Sequence, residues 1–279
     1  MTNTDNAEQF AFWNGANGQM WADEQLRMDR RLGDLSAAVM GLAAARSGEH
    51  VLDIGCGCGT TTFELATHVG HSGSVIGVDI SAPMLAVATT RNRAPNVTFV
   101  EADASTFAFE GDRDLIFSRF GVMFFADPVA AFTNIRAALA PGGRLAFICW
   151  RPMMDNPWAA TPFNAAKHLL PAPAAGATDP SAPGPFAFAD AARTTSILES
   201  AGFSNVAVEA LDSTMFLGET LDEATDATFD VGPLARAIAG ADGATRDNAR
   251  RAVLASLADS VTSEGVTMNA ACWLVSAAG

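Results

Sequence analysis

Hydrophobic and polar positions follow two alternating spacings over residues 47–150. Short apolar runs, typical of buried strands, are separated by stretches in which apolar residues recur every three or four positions, as in amphipathic helices. A series of strand, helix, strand units implies a parallel sheet with helices on both faces. The predicted strands are 51–54, 74–79, 97–101, 114–118 and 144–150, and the clearest helices are 60–69 and the one opened by Asp127-Pro128.

The pattern outside this core is less regular. Residues 23–45 predict one helix, and residues 151–185 are rich in Pro and Ala. A helix at 190–201 and strands at 203–211 and 267–275 follow. The predicted organisation is a helical segment closing the site at 1–46, a ligand-binding core at 47–150, a cap insertion at 151–189, and a C-terminal part of the core at 190–279 with a helical insertion at about 213–265. In open α/β sheets ligands bind at the carboxyl ends of the strands, where such insertions can form a cap.

Composition narrows the class of protein. The chain has 279 residues, of which 49% are hydrophobic and 17% charged, with no apolar run of the ~20 residues that a membrane-spanning helix needs. The polar start lacks the features of a secretion signal, so we expect a cytoplasmic protein without a membrane partner. A net charge of −14 with 17 scattered basic residues disfavours nucleic acid as a partner. Four cysteines at these spacings predict no metal site.

The strongest chemical signal is the glycine loop 53–59, Asp-Ile-Gly-Cys-Gly-Cys-Gly, between a predicted strand and a predicted helix. Alternate glycines permit a sharp turn and a close approach of ligand to backbone. A dinucleotide-binding loop reads Gly-x-Gly-x-x-Gly, whereas position 60 here is Thr. The carboxylate of Asp53 would lie near a pyrophosphate unfavourably, but it suits the ammonium group of an amino acid moiety. The loop therefore favours an aminoacyl ligand over a dinucleotide.

Two further carboxylates follow the next two strands. Asp79 ends the second strand, where an acidic side chain can accept hydrogen bonds from both hydroxyls of a ribose. Asp103, just after the third strand, could accept one from an exocyclic adenine amine. Their order and spacing after the glycine loop are those that an adenosyl ligand requires.

These segments resemble the class I S-adenosylmethionine-dependent methyltransferases, and among them the ubiquinone/menaquinone-biosynthesis-like branch that acts on small molecules. The matching segments are 51–59, Val78-Asp79-Ile80-Ser81, Glu101-Ala102-Asp103-Ala104, 118–125 and Leu139-Ala140-Pro141-Gly142-Gly143. The resemblance implies a Rossmann-like, seven-stranded, mostly parallel sheet with helices on both faces. It also implies S-adenosyl-L-methionine as cofactor and S-adenosyl-L-homocysteine as product.

The same resemblance assigns roles to individual residues. Asp53 and the loop would surround the methionyl part of the donor, Asp79 would hold its ribose, and Ser118 would lie beside the sulfonium. The N-terminal segment would close the pocket. The implied cofactor-binding residues are Asp53, Gly55, Cys56, Gly57, Gly59, Asp79, Ile80, Met84, Asp103, Ala104, Ser118 and Trp21.

The acceptor is less strongly indicated. Aromatic and sulfur-containing side chains near the predicted mouth suggest a pocket for a planar or lipophilic small molecule, although each of them could instead belong to the core. They are Trp13, Phe120, Met123, Phe125, Trp150 and Trp158. His168 in the cap insertion is the one weak candidate for a general base, and no other catalytic residue is predicted.

The favoured interpretation is in-line methyl transfer to a small, aromatic or lipophilic acceptor, by an enzyme that works mainly through positioning. Two alternatives stay open at this point. One is a noncatalytic protein that binds S-adenosylmethionine or a partner, since fold alone does not determine activity. The other is a protein methyltransferase, which would need an open groove. The sequence predicts neither the oligomeric state nor whether O, N or C is methylated.

Overall fold

The computed structural model describes residues 6–170, 179 and 181–279. One sheet runs through the molecule in the order β3-β2-β1-β4-β5-β8-β6, with the two-residue β7 pairing with β8. The strands are β1 His50–Ile54, β2 Ser74–Asp79, β3 Val97–Glu101, β4 Arg113–Arg119, β5 Leu139–Trp150, β6 Ser204–Gly218, β7 Val261–Thr262 and β8 Gly265–Ala278. The predicted seven-stranded, mostly parallel sheet is confirmed, and β7 is the addition to it.

Strand order reverses beside β1, which pairs in parallel with both β2 and β4. The connections after β1 and β4 therefore leave the sheet on opposite faces, and a crevice opens at their carboxyl ends. On the other side of the sheet, β8 is antiparallel to both β5 and β6. The sheet thus places the predicted glycine loop at the point where ligands bind in open α/β folds.

Helices cover both faces of the sheet and form the two insertions. They are α1 Ala7–Asn14, α2 Ala16–Asp23, α3 Gln25–Arg31, α4 Gly33–Ala43, α5 Thr60–Val69, α6 Ala82–Arg91, α7 Pro128–Arg136, α8 Pro157–Ala166, α9 Ala191–Ser200, α10 Leu221–Asp230, α11 Pro233–Ala237 and α12 Gly243–Leu257. Local sequence explains several of their starts. Asp127 accepts a hydrogen bond from the Ala130 amide at 3.0 Å ahead of Pro128, and Asp190 caps α9 in the same way.

Three boundaries differ from the prediction. The single helix expected over 23–45 is two helices, α3 and α4, which meet at Leu32-Gly33, where glycine favours helix only weakly. The strand expected to begin at residue 144 begins at Leu139. The strand expected to end at Leu211 continues to Gly218, because β8 pairs with it along its whole length.

The longer β6 shortens the second insertion, which begins after Gly218 rather than near residue 213. The polar sequence Asp212-Ser213-Thr214 resembles a turn, yet these residues lie on an edge strand, where outward positions tolerate polar side chains. In the folded chain α8, from the first insertion, packs against α12, from the second. Residues 171–178 and 180 of the predicted cap, and 1–5 of the predicted N-terminal segment, lie outside the described residues.

The core lies on both sides of the central strands. Phe117 in β4 and Phe147 in β5 are completely buried, as is Phe132 of α7, which stacks on Phe147 with ring centroids 5.7 Å apart. No helix in the described part of the chain is long and apolar enough to cross a membrane.

Candidate active site

A cavity of about 1220 Å³ opens at the carboxyl ends of β1 to β5. Its floor is the glycine loop and the residues after β2 and β3, and its far wall is aromatic. The N-terminal helices and residues of both insertions complete its sides. Residues of both insertions thus line the cavity, and their role as a cap stays a prediction.

The glycine loop is shaped to bring backbone close to a ligand. Gly57 has φ +55°, and a Cβ there would meet nothing closer than the Met84 Sδ at 3.7 Å, so its open face is the cavity. Gly55 has φ +69°, and a Cβ there would lie 2.7 Å from the Cα of Gly121, which follows β4. The loops after β1 and β4 thus touch backbone to backbone, and only glycine permits this contact.

Asp79 lies where the sequence predicts a ribose partner. Its two carboxylate oxygens accept hydrogen bonds from the amides of Gly57 at 2.7 Å and Ser81 at 2.8 Å. The residue is only 7% exposed, and burial raises the pKa of its carboxyl group. The two amides orient the carboxylate, and each oxygen keeps a second lone pair for hydroxyl groups in the cavity.

The N-terminal helices close the adenine end of the cavity. Asn6 donates to Asp103 at 2.5 Å, and Asn14 donates to the Ile80 carbonyl at 2.9 Å. Ser81, at the N-terminal cap position of α6, makes no side-chain cap and instead donates to the Trp13 carbonyl at 2.7 Å. These bonds join both ends of α1 to the segments that follow β2 and β3, which carry the predicted adenosyl partners.

Most of the predicted cofactor residues line this cavity. They are Gly55, Cys56, Gly57, Asp79, Ile80, Met84, Asp103, Ala104 and Trp21. Three others do not. Gly59 packs inward, where a Cβ would lie 2.8 Å from the Phe99 ring. Ser118 is fully buried, and its hydroxyl donates to the Ile54 carbonyl at 2.7 Å, so it joins β4 to the end of β1.

Asp53 is the third exception, because it is fully buried behind the loop. Its Oδ2 accepts from the hydroxyls of Thr61 at 2.8 Å and Thr62 at 2.7 Å, while its Oδ1 has no partner in the described chain. Burial raises the pKa of this carboxyl group from 3.8 to about 6. Direct contact with a donor ammonium is therefore not available, and contact through a water would use the unpartnered oxygen.

All six predicted acceptor-pocket residues line the cavity. Phe120 stacks on Trp150 with centroids 4.3 Å apart and planes 12° apart, and Trp150 lies 4.8 Å from Trp158. Phe120 has φ +61°, an uncommon value for a bulky residue. Its amide donates a hydrogen bond to the Ile148 carbonyl at 3.2 Å. Trp13 meets Phe124 edge to face at 5.1 Å. The far part of the cavity is thus a wall of flat apolar surfaces.

His168, the candidate base, lies in the short 3-10 turn after α8, where it is exposed and does not line the cavity. The described lining residues include no histidine. Burial raises the pKa of the Cys58 thiol to about 11 and that of Cys56 well above its usual range, so both stay protonated near neutral pH. No group of three or more metal-binding side chains occurs among the described residues.

Charged side chains of the cavity were missed by the sequence reasoning. Asp29 accepts from Thr60 at 2.7 Å and lies 3.9 Å from Arg119, and Arg31 and Asp230 also line the cavity. Burial lowers the pKa of the Arg119 guanidinium. In the sequence these residues look like ordinary charges on helices and loops, and nothing in the local pattern shows that they face inward.

Residues 51–143 match the family model described as a methyltransferase domain. This chain is 38% identical over 124 residues to the aklanonic acid methyltransferase of Streptomyces sp. strain C5, covering 43% of this chain and 53% of that protein. It is 33% identical over 123 residues to the demethylmenaquinone methyltransferase of Lactococcus lactis, covering 43% and 44%. The matched region thus spans about half the length of these relatives.

A solved phosphoethanolamine N-methyltransferase from Haemonchus contortus, in complex with phosphomonomethylethanolamine and S-adenosylhomocysteine, covers 97% of this chain and 60% of its own with a TM-score of 0.59. At 18% identity this likeness shows the fold alone. Residues 51–143 are thus similar to a methyltransferase domain, in agreement with the predicted resemblance. The predicted resemblance to the ubiquinone/menaquinone-biosynthesis-like branch is confirmed.

Proposed function

We propose that this protein transfers a methyl group from S-adenosylmethionine to a small, aromatic or lipophilic molecule. The observation that carries the proposal is the single cavity of about 1220 Å³, which joins the glycine loop to the aromatic wall. A donor and a flat acceptor can occupy it together. The proposal concerns the whole protein, beyond the methyltransferase domain of residues 51–143.

The proposed donor subsite uses residues that line the cavity. Gly55 and Gly57 would admit the methionyl part against the backbone, the Asp79 carboxylate would accept from the ribose hydroxyls, and Asp103 would accept from the adenine amine. Bound there, S-adenosylmethionine supplies a methyl group on a sulfonium that is already activated for displacement. The backbone of the glycine loop is open to the cavity at Gly57, and two amides orient the buried Asp79 carboxylate. Both features suit such a ligand.

The proposed acceptor subsite orients the acceptor molecule rather than activating it chemically. Phe120, Trp150 and Trp158 would hold a planar molecule by stacking. The acceptor atom would donate the electron pair of the new bond to carbon, the pair of the broken carbon–sulfur bond would remain on sulfur, and any displaced proton would leave to water. Because the described lining has no histidine and its thiols are protonated, we propose that orientation supplies most of the rate.

The place of action and the partners are part of the same proposal. All four cysteines are free, as is common where thiols are kept reduced, which supports the cytoplasm. The net charge of −14 supports a small-molecule acceptor over nucleic acid.

The test uses donor that carries a labelled methyl group, incubated with the protein and a size-fractionated bacterial extract. We expect label in the small-molecule fraction, and less of it with the Asp79→Ala variant at the same subsaturating donor concentration. Label in protein would refute the small-molecule acceptor. Tight binding of S-adenosylhomocysteine without any transfer, even to a broad panel of aromatic acceptors, would instead support a noncatalytic binding protein.

A further inference from the structure

Arg31, the last residue of α3, is a buried guanidinium that faces the cavity. It is only 6% exposed, and within the described chain its side chain makes no hydrogen bond and no ion pair. Its Nε is fully buried without a partner. Buried charges are almost always paired, so this side chain has an unmet requirement for an acceptor.

The surroundings of Arg31 do not neutralise it. Burial, and next the like charge of Arg27, lower the pKa of Arg31 to about 10, while Asp230 opposes this shift. Asp230 is itself engaged by Arg27 at 2.7 Å. Arg31 therefore stays protonated at neutral pH, while the Asp230 carboxylate is paired with another cation.

The side of the cavity on which Arg31 lies follows from the contacts of α3. Arg27 pairs with Asp230 at the end of α10, and the guanidinium of Arg30 lies 3.9 Å above the Phe216 ring of β6. Asp29, two residues from Arg31 and so on another face of the helix, turns to Thr60 at the start of α5. Arg31 thus lies toward the insertions, away from the glycine loop.

We propose that the acceptor carries a carboxylate and that Arg31 binds it while the aromatic wall holds the rest of the molecule. A guanidinium offers parallel N–H donors that match the two oxygens of a carboxylate. This inference rests on the proposed function, since it specifies the acceptor of that same site.

The negative net charge of the protein makes a preference for an anionic probe informative. With a net charge of −14, the molecule repels anions in general, so a preference for a carboxylate over its neutral analogue requires a specific local cation. We would titrate the protein, saturated with S-adenosylhomocysteine, with paired aromatic probes such as 2-naphthoate and 2-naphthamide, and follow tryptophan fluorescence.

For the wild type we expect at least one carboxylate to bind about tenfold or more tightly than its amide, the usual range for a charged hydrogen-bonded pair. Arg31→Gln should abolish the preference, Arg31→Lys should retain part of it, and the matched control Arg30→Gln on the same helix should keep it. No preference in the wild type for any pair, or an unchanged preference in Arg31→Gln, would overturn the proposal.

Two further measurements separate other roles of Arg31. Donor affinity, measured by calorimetry with S-adenosylhomocysteine, should change less than about threefold in Arg31→Gln. A larger loss with an intact carboxylate preference would assign the guanidinium to the donor carboxylate and refute our assignment. Arg31→Met should raise the unfolding midpoint of the ligand-free protein by about 2–4 °C, whereas a structural role would lower it.

The outcome is separable from that of the proposed function. Label transfer to an uncharged acceptor, with no carboxylate preference, would leave the methyltransferase proposal intact and remove this one. A carboxylate preference that depends on Arg31, without label transfer to any acceptor, would leave an anion-binding cavity and remove the enzyme proposal.

Discussion

Replacing Asp53 by Asn should stabilise the protein at pH 8, although it alters a buried hydrogen-bonded residue. Asp53 has no exposed surface, one oxygen satisfied by two threonine hydroxyls, and one oxygen without a partner in the described chain. Burial raises the pKa of its carboxyl group from 3.8 to about 6. Above pH 6 the folded state must therefore hold an ionised group that it disfavours.

The size of the expected change in the free energy of unfolding follows from the shift in the pKa of Asp53. At about 1.4 kcal/mol for each unit of pKa, a shift of roughly two units costs the folded state about 3 kcal/mol at pH 8. An Asn side chain keeps an acceptor for Thr61 and Thr62, but its buried NH2 group would lack a partner, which costs about 1 kcal/mol. The expected net gain in the free energy of unfolding is thus about 2 kcal/mol at pH 8.

The sign of the pH dependence is fixed by the raised folded-state pKa. The stability that the protonated carboxyl group contributes is fully present below pH 3.8 and is lost as the pH rises through about 6. The gain in the free energy of unfolding from Asp53→Asn should therefore shrink as the pH falls below 6 and vanish near pH 4.5. Urea unfolding at pH 4.5 and pH 8 measures it.

A matched control is Asp34→Asn, at an exposed position in α4, which should change the free energy of unfolding by less than about 0.5 kcal/mol at either pH. If Asp53→Asn is less stable than the wild type at pH 8, the carboxylate is stabilised by its surroundings, and the reasoning from burial fails.

Three other predictions concern the cavity. Asp79→Ala should weaken S-adenosylhomocysteine binding by about 1–3 kcal/mol in calorimetry, and unchanged affinity would remove Asp79 from the site. Gly121→Ala should lower the free energy of unfolding by about 1–3 kcal/mol, because its Cβ would lie 2.6 Å from the Ile54 carbonyl oxygen; a neutral result in urea unfolding would mean that the two loops move apart easily. Cys58, with its pKa of about 11, should react slowly with iodoacetamide at pH 7.5 and roughly tenfold faster for each pH unit above that. Saturating S-adenosylhomocysteine should slow the reaction further, because Cys58 lines the cavity. Rapid labelling at pH 7.5 in mass spectrometry would contradict the raised pKa.

The donor end of the cavity could be predicted from the sequence because its parts are local. A glycine loop after a buried strand, and carboxylates that end the next two strands, come together whenever the strands are parallel neighbours. Asp79 and Asp103 accordingly line the cavity with Gly57. The cofactor roles proposed for them stay predictions until ligand binding is measured.

Two predicted cofactor residues at the same end do not line the cavity, and the reason is the same for both. Ser118 follows the motif position by position, yet its hydroxyl bonds to the Ile54 carbonyl and the residue is fully buried. Asp53 is likewise turned onto the start of α5. A motif specifies which residues are near one another, but rotamers and burial decide which of them face a ligand.

By itself the sequence determined the sheet, its direction, the glycine loop and the class of domain, because hydrophobic periodicity and backbone freedom are properties of short segments. Only the tertiary structure decided that β6 extends to Gly218, that His168 faces solvent, and that Arg31 is buried without a partner in the described chain. Each of these depends on packing between segments far apart in the chain. The side of a helix that is buried, and hence the charge that reaches a cavity, is settled by contacts such as that of α3 with β6 and α10, which no local pattern encodes.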